Sequence, residues 1–298
     1  MSYRQLWQRL TKQYDADEAK AIVRMVFDIL FGWSLADLYT DKFSNLTQVQ
    51  SAQVEAVMRR LEAGEPVQYI LGEAEFGNRR FKVTPDVLIP RPETNELVEW
   101  VTQTAVAISS HPHILDIGTG SGCIAITLAL NLLLEVYKTV SNGLLKEDTQ
   151  KEAYKIEAWD VSPAALHVAK ENAERHNADV VFERHDILSD IPPNDSFDII
   201  VSNPPYICEK ERAEMEPHVL DYEPALALFV PDNDPLRFYR AIAEFGQKWL
   251  KADGLLFFEI NPHYHDALCD MLTQTGYSSI ETKNDIYGKQ RMIKARKL

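Results

Sequence analysis

One segment constrains this chain more than any other: His113-Ile-Leu-Asp116-Ile-Gly118-Thr119-Gly120-Ser121-Gly122, followed by an apolar stretch from Cys123. A short apolar run entering a glycine-rich turn and leaving as an apolar helix reads as a strand, turn and helix unit. The three alternating glycines permit positive φ and let a ligand approach the backbone where a side chain would collide. The helix start that follows exposes free amide groups. The same alternation continues down the chain, with strands expected at 156–159, 180–183, 197–201 and 254–260. Helices are expected at 94–108, 121–134, 163–176, 235–250 and 265–275. Alternating strands and helices imply an α/β fold, a mainly parallel, doubly wound sheet with helices on both faces. Its ligand should lie beyond the carboxyl ends of the strands, where the strand order reverses.

The 298 residues exceed the usual single-domain size of roughly 100 to 150, and the first segment has a different periodicity. Leu6 and Leu10, then Ile22, Val26, Ile29 and Leu30, then Val54, Val57, Met58 and Leu61 recur at helical spacing. Asp15 and Asp17 stand as caps, and Gly32 and Gly64 stand where helices end. Phe76, Phe81 and Val83 then flank Gly77-Asn78, a hairpin dipeptide. The expected organisation is a helical domain for docking a substrate over 1–72, a hairpin linker over 73–92 and an α/β domain over 93–298. The polar stretch SNGLLKEDTQKEAYK is expected to be a surface insertion extending a helix or loop.

A formal net charge of -14 argues against a protein that holds nucleic acid by broad phosphate neutralisation, though it leaves room for a local basic patch. Three cysteines without CxxC spacing indicate neither a disulfide framework nor a thiolate zinc site. The N-terminus lacks the pattern of a signal peptide, and the apolar run over 123–136 is shorter than the roughly 20 residues that span a bilayer. A cytoplasmic protein is expected.

The glycine turn is not a dinucleotide fingerprint, because Cys123 stands where GxGxxG needs its last glycine, and no Lys-Ser/Thr pair follows. Asp160 closes the next strand, where a carboxylate can accept ribose hydroxyls. Asp186 and Ile187 follow the third strand, suited to the edge and face of an adenine. Singly these are weak, since a strand-end Asp also caps helices; in this order they suggest a nucleoside cofactor without a pyrophosphate. The second signal is Asn203-Pro204-Pro205-Tyr206 at the end of the fourth strand. Average residue frequencies place NPPY in only about one chain in a thousand of this length. A rigid surface turn is the bland reading, but the turn falls where an α/β sheet puts its ligands.

Together these two signals resemble class I methyltransferases that use S-adenosylmethionine, and NPPY resembles the subset that methylates a planar nitrogen. The segments GEAEFGNRRFKV, TPDVLIPRPETNELVEW, LDIGTGSGCIAI, SNPPYI and DIYGKQRMIKAR are similar to those of the release factor glutamine methyltransferases, the PrmC/HemK family of protein-(glutamine-N5) methyltransferases. The likeness covers nearly the whole chain. It implies a class I methyltransferase fold behind a small helical domain, and transfer of a methyl group to a glutamine of peptide chain release factors. It implies that Gly118, Thr119, Gly120, Ser121, Gly122, Asp160, Ile187 and Asn203 contact S-adenosylmethionine. It also implies that Asn203, Pro204, Pro205 and Tyr206 hold the glutamine, with Asn203, Pro204 and Tyr206 as the catalytic group. Arg91, in IPRPET, either pairs with Glu93 or lines the substrate entrance. Two features depart from the family pattern: Asn261 shortly after Glu259, and the longer insertion beyond Leu134.

Two other functions fit part of the pattern: an adenine or guanine N-methyltransferase of DNA or RNA, and a non-catalytic assembly factor on a cofactor fold. The acidic balance weighs against the first, and the intact glycine turn beside an intact NPPY weighs against the second. No stable nucleic-acid or membrane partner is expected. His263 and His265 lie beside Asp266 without a further ligand pattern, so no metal is assigned. The basic residues Arg291, Lys294, Arg296 and Lys297 suggest a solvated last strand.

Overall fold

The structure is a computed structural model that describes residues 1–109, 111–141, 154–189 and 196–298. Two compact units emerge: Met1–Glu73 with Met215–Glu223, and Ala74–Glu214 with Pro224–Leu298.

The first unit holds helices α1 (Tyr3–Leu10), α2 (Ala16–Phe31), α3 (Gln48–Glu62) and α4 (Val67–Leu71). Their ends are set locally. The Asp15 carboxylate accepts the amides of Asp17 and Glu18, and Gly32 closes α2 at φ 65°. Thr47 and Gln50 form a reciprocal capping box at the start of α3. Leu6, Leu10, Val23, Phe27, Val54, Met58 and Leu61 face inward and form the core of this unit.

In the second unit, β1 (Glu73–Phe76) and β2 (Arg79–Lys82) make the expected hairpin. Gly77 and Asn78 both have positive φ (55° and 60°), as a two-residue hairpin turn requires. Then come α5 (Pro92–Ile108), β3 (His113–Ile117), α6 (Cys123–Ser141), β4 (Lys155–Asp160), α7 (Pro163–His176), β5 (Val181–Arg184) and β6 (Phe197–Ser202). A short parallel pair, β7 (Ile207–Cys208) and β8 (Phe229–Val230), brackets two small helices, α8 (Pro217–Tyr222) and α9 (Ala225–Leu228). The chain closes with α10 (Arg237–Trp249), β9 (Leu250–Glu259), α11 (His265–Thr275), β10 (Tyr277–Asn284) and β11 (Gln290–Lys297).

The large sheet has seven strands in the order β10-β11-β9-β6-β3-β4-β5. β9, β6, β3, β4 and β5 are parallel, whereas β11 runs antiparallel to both of its neighbours. Successive residues of each strand feed opposite cores. Ile114, Val201 and Phe257 pack under α5 and α6, while Leu115, Ile200 and Phe258 pack under α10 and α11. The order reverses between β3 and β6, where Ile117 pairs with Ser202. The glycine turn and NPPY therefore leave neighbouring strand ends side by side.

Three expectations need correction. The basic terminus is not a solvated strand: β11 lies inside the sheet, with Met292, Ile293 and Ala295 buried, Arg291, Lys294 and Lys297 half-buried and Arg296 exposed. The helix after the glycine turn runs to Ser141 rather than ending near Leu134, although its contribution to the core ends at Leu132. The strand expected from Gly254 begins at Leu250. Most of the expected insertion, residues 142–153, lies outside the described residues. The segment containing α8 groups with the first unit, where the Tyr222 hydroxyl donates to the Ala63 carbonyl (3.3 Å). Among the described residues no helix is long and apolar enough to cross a membrane.

Candidate active site

The glycine turn is held open by main-chain bonds. The amides of Gly118 and Thr119 both donate to the Trp159 carbonyl (2.8 and 3.0 Å), which fastens the turn to the end of β4. Gly118, Gly120 and Gly122 have φ of 77°, 56° and 81°. A Cβ on Gly118 or Gly120 would meet nothing within 4 Å, whereas one on Gly122 would come within 2.8 Å of Ile126 and 3.1 Å of Ala169. The first two glycines thus leave space for a ligand, and the third lets α6 and α7 approach. Beneath the turn the Thr119 hydroxyl donates to the fully buried Asp116 carboxylate (2.7 Å). Burial pushes the Asp116 carboxyl up to about 7, although the Thr119 bond works the other way.

Asp160 spans the turn and the next helix: its two oxygens accept the amides of Gly120 and Ser162, each at 2.9 Å. Burial raises its pKa, and the backbone amides of Ser162, Gly120 and Val161 counter that rise. A cavity of about 300 Å³ opens here. Its wall includes Gly118, Gly120, Asp160, Asp186 and Ile187 from one side and Asn203, Pro204 and Pro205 from the other. Asp186 is exposed and its carboxylate accepts the Leu188 amide (3.0 Å), while Ile187 packs on the core beside it. The opposite wall is apolar and includes Val87, Leu88, Leu226 and Phe238.

The NPPY turn is held by side chains from distant segments. Asn203 Nδ2 donates to Thr94 Oγ1 (3.3 Å), and Thr94 Oγ1 donates to Glu259 Oε2 (2.6 Å). The Tyr206 hydroxyl donates to Glu259 Oε1 (3.1 Å). Burial raises the Glu259 pKa, and the Thr94 hydroxyl and the nearby Arg291 charge oppose the rise. Burial, then the Glu259 charge, pushes the Tyr206 hydroxyl far above its ordinary value, so it is a neutral donor. Asn261 donates to the Tyr206 carbonyl and to Glu211 (each 3.2 Å), and its Oδ1 accepts the His263 amide. The departure at Asn261 is thus a brace for the turn. His265 bonds to Asp266 and Thr282.

The structure therefore gathers Gly118, Gly120, Asp160, Asp186, Ile187, Asn203, Pro204 and Pro205 around one cavity. Thr119, Ser121 and Gly122 are buried behind its wall, and Tyr206 points to Glu259. Arg91 is half-buried at the start of α5, its charge close to Tyr206. Sequence reasoning did not single out Thr94 or the apolar wall. Thr94 sits inside IPRPET, and the partner of its hydroxyl, Glu259, lies 165 residues away, so no local pattern marks it.

Residues 3–72 match the family model described as the PrmC N-terminal domain, and residues 108–230 match that of a methyltransferase domain. The release factor glutamine methyltransferase of Bacteroides thetaiotaomicron is 43% identical over 97% of this chain and 96% of its own length. That of Flavobacterium psychrophilum is 40% identical with the same coverage. That of Koribacter versatilis is 34% identical over 100% of this chain and 99% of its own. With a class I methyltransferase fold, both matched segments and such relatives along its whole length, this chain belongs to the release factor glutamine methyltransferase family.

Proposed function

We propose that this enzyme transfers a methyl group from S-adenosylmethionine to the side-chain amide nitrogen of a glutamine in peptide chain release factors. The observation that carries the reading is the single cavity walled by the glycine turn and Asp160 on one side and by the NPPY turn on the other. The residues fit the cofactor. Gly118 and Gly120 leave open space above the backbone, the Asp160 carboxylate would accept ribose hydroxyls, and Asp186 with Ile187 would meet the edge and face of the adenine. When bound, S-adenosylmethionine supplies a strongly electrophilic methyl group.

The chain's task is the nucleophile, because a carboxamide lone pair is delocalised into its carbonyl. Asn203 Oδ1 and the Pro204 carbonyl would accept the two amide N–H bonds and favour the positive charge that develops on nitrogen. Pro204 and Pro205 restrict the turn, so the acceptors are fixed before substrate arrives. Tyr206, tied to Glu259, would close the turn from behind and exclude water. The nitrogen–carbon bond forms as the sulfur–carbon bond breaks, and the acidified nitrogen then releases a proton to solvent.

The test is incubation with methyl-labelled S-adenosylmethionine and either release factors or nucleic acid. Label should appear on the release factor and vanish when the target glutamine is replaced by alanine; label in nucleic acid would overturn the reading. Residues 1–72 would dock the protein substrate. Replacing the exposed Tyr39 and Val49 with glutamate should then raise KM for an intact release factor several-fold and leave a short glutamine peptide unaffected.

A further inference from the structure

We infer that Thr94 and Glu259 are positioning residues that fix which end of the Asn203 amide faces the cavity. The inference deepens the reading above and rests on it for its catalytic consequence. The argument is one of hydrogen-bond direction. Glu259 accepts at both of its oxygens, as the carboxylate that the neighbouring Arg291 charge favours, and such a group only accepts; a threonine hydroxyl has a single proton. Thr94 Oγ1 lies 2.6 Å from Glu259 Oε2, so that proton is committed to the carboxylate. The Tyr206 hydroxyl commits its own proton to the other oxygen, at 3.1 Å. Thr94 Oγ1 is then left with lone pairs alone, and whatever approaches it must donate. Asn203 can satisfy this only with Nδ2, which lies 3.3 Å away.

The amide is planar, so fixing Nδ2 toward Thr94 turns Oδ1 the other way. Among the described residues Oδ1 has no hydrogen-bond partner, and Asn203 lines the cavity. The flipped amide would set Oδ1 against the lone pairs of Thr94 and present a donor to an incoming carboxamide N–H. Such a site would repel the nitrogen it must hold. Thr94 and Glu259 are both almost fully buried (3% and 2% exposed), so water does not compete for these bonds. The proton order Tyr206 and Thr94 to Glu259, then Asn203 to Thr94, is thus imposed by one acceptor-only group.

Two variants test the relay without changing shape. Thr94→Val keeps the volume and removes the hydroxyl; Glu259→Gln keeps the shape and adds a donor that can reverse the direction. Each should lower the single-turnover methylation rate about tenfold or more at saturating cofactor, with cofactor affinity and melting temperature near the parent's. Thr94→Ser, which restores the hydroxyl, should recover most of the rate. Side-chain amide NMR of Asn203 reads the relay with no substrate present: the proton bonded to Thr94 should shift in Thr94→Val and return in Thr94→Ser. A parent-like Asn203 signal in Thr94→Val and Glu259→Gln would overturn the relay, as would a parent-like rate in both variants. Failure of the parent itself to methylate glutamine would instead strike the proposed function, with the relay still decided by the amide spectrum.

Discussion

The two turns that wall the cavity hang on the same device and differ in where it comes from. Each rests on a buried carboxylate that accepts a threonine hydroxyl: Asp116 with Thr119 under the glycine turn, Glu259 with Thr94 behind NPPY. The first pair lies three residues apart and the second 165. The glycine turn is otherwise held by main-chain bonds to Trp159 and by Asp160, and its own glycines supply the unusual φ values. The NPPY turn has rigid prolines, but its Asn203 side chain is held by hydrogen bonds to residues from α5 and β9. The glycine turn thus draws on its own residues and on the end of the adjoining strand β4, whereas the NPPY turn draws on groups from α5 and β9.

The largest effect should fall on the NPPY side. Asn203→Ala removes the acceptor in a preorganised site and should lower the single-turnover rate about 10²- to 10³-fold with the fold intact. Asn203→Asp sharpens the comparison, because it keeps an acceptor but loses the Nδ2 donor that Thr94 requires, and it should recover only a small part of the rate. A parent rate in Asn203→Ala would mean that the turn is merely a rigid connection.

On the glycine side the expected losses are in binding. Asp160→Ala removes the acceptor for ribose hydroxyls and the clamp on Gly120, and should weaken S-adenosylhomocysteine binding by about 1.5 to 3 kcal/mol in calorimetry. Unchanged affinity would take Asp160 out of the cofactor site.

Within the turn, Gly118 and Gly122 should separate. Gly122→Ala forces a Cβ against Ile126 and Ala169 and should reduce stability by about 1 to 3 kcal/mol in urea unfolding. Gly118→Ala meets open space, so it should cost about 1 kcal/mol from its positive φ while weakening cofactor binding more strongly. Equal destabilisation without a binding difference would contradict the division between ligand space and helix packing.

The expectation furthest from the reaction itself is a pH slope. The Asp116 carboxyl, pushed up to about 7 by burial, holds its proton in the folded state over a range where the unfolded group, near 3.9, has lost it. Its contribution to stability therefore falls as pH rises from about 4 to about 7, by up to roughly 1.4 kcal/mol per pH unit. Asp116→Asn still accepts from Thr119 and does not titrate, so its unfolding free energy should fall less steeply than the parent's between pH 5 and pH 7. Parallel slopes would show that Asp116 stays ionised in the fold.

Much of this was legible before any fold was known. Helical spacing in the first segment, Gly77-Asn78 at the hairpin and the strand-turn-helix unit at Asp116–Gly122 all follow from φ preferences and periodicities that act within a few residues. The position of NPPY at a strand end was equally readable, since prolines stop the strand that precedes them. Strand β11 carries charges that signal solvent, whereas its burial is set by the strands that flank it in the sheet. The tie of Asn203 to Thr94 and Glu259 had no local signal at all. It exists because the strand order sets β9 next to β6 and α5 packs across them, a matter of long-range pairing that no short stretch of residues encodes.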